Sequence, residues 1–107
     1  MNAGLSGKLL EIRGKFVNSL PERKERLIAL HSKLTAGTCT ANDMDELRFI
    51  VHKIHGLAGT LGFTTLGSFA ASLELEVNAT IEKGGYSNTF CDGVVTLIGH
   101  VQDAIDA

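Results

Sequence analysis

Residues 43–62 read Asp-Met-Asp-Glu-Leu-Arg-Phe-Ile-Val-His-Lys-Ile-His-Gly-Leu-Ala-Gly-Thr-Leu-Gly. Within them Leu47, Ile50, Val51, Ile54, Leu57, Ala58 and Leu61 recur at three- and four-residue steps, the period that gathers side chains onto one face of a helix. At about 100° per residue, a stripe centred on Ile54 holds all seven within about 60°. The segment therefore predicts an amphipathic helix, capped at its start by Asn42 or Asp43 and stopped by Gly62.

The same period continues on both sides. Upstream, Leu5, Leu9, Ile12, Phe16 and Leu20 predict a helix from about residue 3 to the Ser19-Leu20-Pro21 junction. Pro21 suits the first turn of a following helix, whose stripe is Leu27, Leu30 and Leu34 and which Gly37 and the polar run 38–42 end. Downstream, Thr64 or Thr65 can cap a helix with the seam Leu66, Phe69, Ala70, Leu73, Val77 and Ile81, closed by Gly84-Gly85. Ser87 or Asn88 then starts a last helix carrying Phe90, Val94, Leu97, Ile98, Val101 and Ile105. With one proline and almost no strict alternation, the fold class is all-α. Short links make neighbours antiparallel, so the expected architecture is an up-down-up-down four-helix bundle with an additional N-terminal helix.

Composition limits what such a bundle does. At 107 residues it is one domain's length, and 44% hydrophobic with 21% charged residues fits an ordinary globular core. The net charge of −2 lacks the basic field with which nucleic-acid-binding domains displace counterions, so no nucleic acid is expected as partner. Cys39 and Cys91 show no CxxC spacing and suit a reduced compartment. Lys8, Glu11, Arg13 and Lys15 interrupt any signal-peptide core, and no apolar run approaches membrane-spanning length. The expectation is a cytoplasmic domain with no direct membrane contact, a monomer by its length. No phosphate-binding glycine-lysine loop marks an autonomous enzyme.

One face of the central helix is unusual. The phasing that buries Ile54 puts His52 about 160° away, with Gly56 about 160° and Gly59 about 140° round on the outer side. A glycine inside a helix costs about 1 kcal/mol relative to alanine, and an outer face offers no packing reason to bear that twice. Bare backbone beside an exposed imidazole lets another protein approach the ring closely. A neutral imidazole is a nucleophile near neutral pH.

The run His52-Lys53-Ile54-His55-Gly56, followed by Leu57-Ala58-Gly59-Thr60-Leu61-Gly62, resembles the signature of histidine-containing phosphotransfer domains, H-x-L-K-G with a second glycine six residues on. Leu66 and Leu73-Glu74 fit the family, as does the succession of helices. The resemblance implies that His52 accepts a phosphoryl group from the aspartate of a response-regulator receiver domain and passes it to another. It implies receiver domains as partners, with a hybrid histidine kinase as a further one and this chain as a domain of a larger sensor kinase or a stand-alone carrier. It implies no cofactor of the chain's own and Mg²⁺ supplied by the receiver. Phosphoryl transfer needs little more than positioning and charge neutralisation.

The family's lysine is His55 here, whose charge is conditional where a lysine's is fixed. Arg48, one turn before His52, can supply a permanent cation, so His55 and Arg48 complete the expected phosphoryl environment. Gly56, Gly59 and Phe63 are the expected partner contacts, Phe63 having the core as its other reading. His52 and His55 also form an outward HxxH, but two imidazoles are not a metal site and no Glu stands three before either, so no metal is expected. The other functional class is a helical docking module without chemistry. A His52→Gln variant separates the two, since a docking module keeps its function and a phosphocarrier loses all transfer.

Overall fold

A computed structural model describes the backbone of residues 3–107 and the side chains from residue 7 onward. Four helices follow one another: α1 (Ala3–Ala36), α2 (Ala41–Ala58), α3 (Thr64–Lys83) and α4 (Asn88–Asp106), with no strand among the described residues. Each packs on its neighbours in cyclic order, α1 on α2 and α4, and α3 on α2 and α4. The links at 37–40, 59–63 and 84–87 are short, which makes successive helices antiparallel.

The additional N-terminal helix is not a separate element. The two helices expected on either side of Pro21 are the single helix α1, with Pro21 inside it. The stripe explains the continuity: Phe16, Leu20, Leu27, Leu30 and Leu34 are all buried, and Phe16 and Leu27 lie within about 20° of each other on an unbroken helix. A break at Pro21 would have to be undone to keep both halves on the same core. Pro21 itself is exposed, so the carbonyl of Val17 that loses its N–H partner can turn toward water.

Other boundaries also shift. Thr40, not Asn42 or Asp43, is the N-cap of α2: its Oγ1 accepts from the Asp43 N–H at 3.1 Å and its own N–H donates to Asp43 Oδ2 at 2.9 Å. The reciprocal pair satisfies two donors that a helix start leaves free. Lys33 of α1 donates to the other Asp43 oxygen at 3.0 Å. The helix ends at Ala58, one turn before Gly62; the Phe63 N–H reaches back to the Ala58 carbonyl at 2.8 Å, and Gly62 takes a φ of +94°. That left-handed turn, open to glycine at no steric cost, reverses the chain into α3. There Phe63, rather than Thr64 or Thr65, holds the cap position without a side-chain cap. Ser87 caps α4 as expected, its Oγ accepting from the Phe90 N–H.

The core is aliphatic. Leu27, Leu30, Leu47, Val51, Ile54, Leu73, Val77, Val94, Leu97 and Val101 are fully buried, each side chain contributing about 1.5–3 kcal/mol by leaving water. Several residues assigned to the stripes from periodicity lie outside it: Leu9, Ile12, Leu57 and Ile81 are exposed. The side chain of Leu5 lies outside the described residues. For Leu9 and Ile12 the cause is length. An α1 of 34 residues spans about 51 Å at 1.5 Å per residue, against about 27–30 Å for the 18 to 20 residues of the others, so its N-terminal part has less to pack against. Leu61 is buried, but from the link and not from α2.

Candidate functional site

Burial of Leu47, Ile50, Val51, Ile54 and Ala58 fixes the rotation of α2. That rotation turns His52 and His55 outward, with side chains 65% and 46% exposed. They meet one carboxylate of the neighbouring helix. Glu74 of α3, only 17% exposed, takes His52 Nδ1 on Oε2 and His55 Nδ1 on Oε1, both at 2.7 Å. The two rings stand edge to face, centroids 6.5 Å apart.

Glu74 reaches both because it flanks the buried seam of α3. Leu73 and Val77 point into the core on either side of it in sequence, which leaves Glu74 at the edge of the α2–α3 contact. Burial pushes its carboxyl group up, but hydrogen bonds from His55 and His52 and their charge outweigh that and hold it below its ordinary value. An ionised carboxylate only accepts. Each imidazole therefore presents an N–H at Nδ1, and a neutral His52 carries its lone pair on Nε2, away from Glu74.

A shallow depression of about 450 Å³ beside His52 is lined by Asp45, Arg48, Phe49, His52, Glu74 and Asn78. Arg48 lies in it, as its place one turn before His52 requires, with Nη2 3.5 Å from Asp45 Oδ1 and half its side chain exposed. Phe49 is 58% exposed, and the Lys53 ammonium stands 5.4 Å from its ring centroid. This unburied phenyl ring, outside the buried stripe of α2, is an apolar element of the face that carries His52.

Gly56 and Gly59 are both exposed, and a Cβ on either would meet no atom within 4 Å. Space beside the imidazoles is thus open on the side the sequence suggested. Phe63 is elsewhere: half-buried at the end of the bundle, its ring 5.8 Å from Phe16 and capped by the Arg13 guanidinium at 4.5 Å. The structure thus brings His52, His55 and Arg48 together on the face that carries the two glycines, and it does not bring Phe63 to the depression.

Glu74 is the site residue that sequence reasoning left without a role. The sequence singled it out only as part of the Leu73-Glu74 pair that fits the family; Glu76 and Glu82 lie on the same helix, and only the packing of α3 on α2 selects among them. It also supplies the third donor that the HxxH of α2 lacks: one donor atom from each of His52, His55 and Glu74 lies within 4.8 Å of the others. Among the described residues no helix is long and apolar enough to cross a membrane.

Comparison with curated proteins and with solved structures found no match. The family model of the Hpt domain matches residues 11–107, which takes in α2, α3 and α4 entirely and most of α1. A helical bundle that presents an imidazole on the outer face of its second helix fits that match, and the chain belongs to the Hpt domain family, the phosphotransfer modules of two-component systems.

Proposed function

We propose that this chain is a stoichiometric phosphocarrier whose acceptor atom is His52 Nε2. The observation that carries the reading is the His52 Nδ1 to Glu74 contact at 2.7 Å. It holds the proton on Nδ1 and leaves the Nε2 lone pair facing out of the bundle. In the transfer that lone pair attacks the phosphorus of a receiver's aspartyl phosphate. The N–P bond forms as the P–O bond to the aspartate breaks, and the aspartate leaves as carboxylate. The positive charge that develops on the ring stays beside the Glu74 carboxylate, which keeps the Nδ1 proton throughout. Onward transfer to a second receiver reverses these steps.

The chain's other residues position and screen. His55 occupies the second oxygen of Glu74 and so fixes the carboxylate plane. Arg48 sits at the rim of the same depression, held only by a loose contact to Asp45, and is free to turn its guanidinium toward phosphoryl oxygens. Mg²⁺, supplied by the receiver, neutralises charge on the phosphoryl group from the partner's side. Gly56 and Gly59 let the receiver approach, and Phe49 gives it an apolar contact beside the ring. The partners are response-regulator receiver domains and a hybrid histidine kinase, and the carrier works in the cytoplasm as a monomer.

The test is transfer of labelled phosphate from a panel of phosphorylated receiver domains, run beside His52→Gln and His55→Gln. Label that is acid-labile, base-stable and lost with His52 is the expected result. A His52→Gln chain that still takes acid-labile label would place the acceptor elsewhere.

A further inference from the structure

The three donors around Glu74 do more than align a ring. Two imidazole nitrogens and a carboxylate oxygen lie within 4.8 Å of one another, from two different helices. We propose that His52, His55 and Glu74 bind a single Zn²⁺ ion, and that this ion and the phosphoryl group compete for His52.

The donor set decides the class of metal. Two nitrogens and one oxygen suit a borderline ion such as Zn²⁺, and poorly suit Mg²⁺ or Ca²⁺, which take oxygen ligands. Three protein ligands plus water is the set of an open tetrahedral zinc site. Zn–N and Zn–O bonds of about 2.0–2.1 Å place tetrahedral donors about 3.3 Å apart. The two 2.7 Å contacts go to different oxygens of Glu74 and the three donor atoms lie within 4.8 Å of one another, so replacing the two protons by the ion needs each imidazole to part from its oxygen by roughly half an ångström and any wider donor pair to close by up to about 1.5 Å. Side-chain torsions supply that at His52 and His55, which are both exposed, and the depression beside His52 gives an entry path. Glu74 is held at the helix contact and anchors the set. Arg48 opposes the ion by its charge, and Asp45, 3.5 Å from that guanidinium, offsets it.

The conflict with phosphorylation follows from the ring's two nitrogens. A neutral imidazole has one proton and one free lone pair. When the ion takes the lone pair at Nδ1, the proton displaced from Nδ1 moves through water to Nε2. His52 then has no lone pair left for phosphorus. No electron changes hands, and the ring stays neutral. This consequence rests on the phosphocarrier reading above; the metal site does not.

Zn²⁺ binding is measured by isothermal titration on the intact chain with a competing chelator, and Co²⁺ is added separately for its visible absorption. The expected result is one equivalent of Zn²⁺, a tetrahedral Co²⁺ spectrum, and affinity at least about tenfold weaker in His55→Lys and in Glu74→Gln. A His31→Gln/His100→Gln chain is expected to bind as the native one does. Circular dichroism on each variant reports whether it is folded. Equal affinity in all folded variants, or no saturable binding, overturns the site. Phosphorylation by phosphoramidate, which needs neither receiver nor Mg²⁺, is then followed with and without saturating Zn²⁺. Loss of phosphohistidine with Zn²⁺, reversed by chelation and absent in His55→Lys, is expected; undiminished phosphorylation at full Zn²⁺ occupancy overturns the competition. If the metal-free chain takes no label on His52 while Zn²⁺ binds as described, the phosphocarrier reading falls and the metal site stands.

Discussion

Glu74 accepts from two imidazoles through its two oxygens, and the consequence is chemical as much as structural: it sets which nitrogen of His52 is free. In Glu74→Gln the amide has one acceptor and one donor end, so one of the two rings must turn its lone pair to the NH₂ group. Transfer is expected to slow by about tenfold or more, and ¹⁵N NMR should show His52 or His55 gaining the form protonated at Nε2; a slowed variant whose ring protonation is unchanged would reduce Glu74 to a packing role. The other informative carboxylate is Asp43. Backbone hydrogen bonding from Thr40, then the Lys33 ammonium, hold it below the ordinary carboxylate value. A carboxylate depressed in the fold stabilises above its unfolded value near pH 3.9 and loses that contribution as pH falls through the folded value. Asp43→Asn should lower the melting temperature at pH 7 and flatten its decline between about pH 4 and 2, measured by thermal melts across pH. At this scale helical phase and glycine neighbours singled out His52, because exposure is a local property, and the resemblance to the family signature added His55 at the lysine position with Arg48 as the fixed charge. Neither gave Glu74 a role, because the partner of a side chain across a helix contact depends on how two helices are rotated against each other.

Between elements, α3 packs closely on the end of α2 at Gly67. A Cβ added to Gly67 would lie 2.9 Å from the Gly59 backbone nitrogen and 3.2 Å from its Cα, closer than backbone atoms permit. Gly67→Ala must push α3 off the end of α2, at a cost of about 1–3 kcal/mol, read by chemical denaturation; because the shift is at the α2–α3 contact, the His52 and His55 resonances should move as well. The close contact is made by Gly67 against the Gly59 backbone, while a Cβ on Gly59 itself would meet no atom within 4 Å. In α1, Pro21→Ala restores a donor at an exposed position of a continuous helix. The gain is up to about 3 kcal/mol from helix propensity, less the greater freedom alanine gives the unfolded chain. A raised melting temperature with unchanged phosphotransfer is expected; a lowered one would mean that the proline shapes the helix the bundle needs. The in-phase stripe from Phe16 to Leu34 was the signal that α1 runs through the proline, and it outweighs the local rule that a proline starts a helix.

For the whole molecule, the bundle is a support that holds one face in place, and under the proposed function a partner completes the chemistry there. Gly56 has nothing within 4 Å of where its Cβ would be, so Gly56→Leu should leave the fold as stable or up to about 1 kcal/mol more stable. Receiver affinity and transfer should fall together by about tenfold or more if that bare backbone is where the receiver docks; binding measured by titration against a receiver domain, unchanged in the variant, would move the docking surface off this face. The all-α class, most of the buried seam positions and the outward histidine were legible in the amino-acid sequence, because helical period and burial repeat along the chain and need no knowledge of neighbours. Packing decided the rest. Joining α1 into one helix, leaving Leu57 and Ile81 in solvent, sending Phe63 to the end of the bundle and bringing Glu74 between two imidazoles all depend on where each helix ends, how long it is and which neighbour it meets. Those are relations between distant residues, and only the closed bundle sets them.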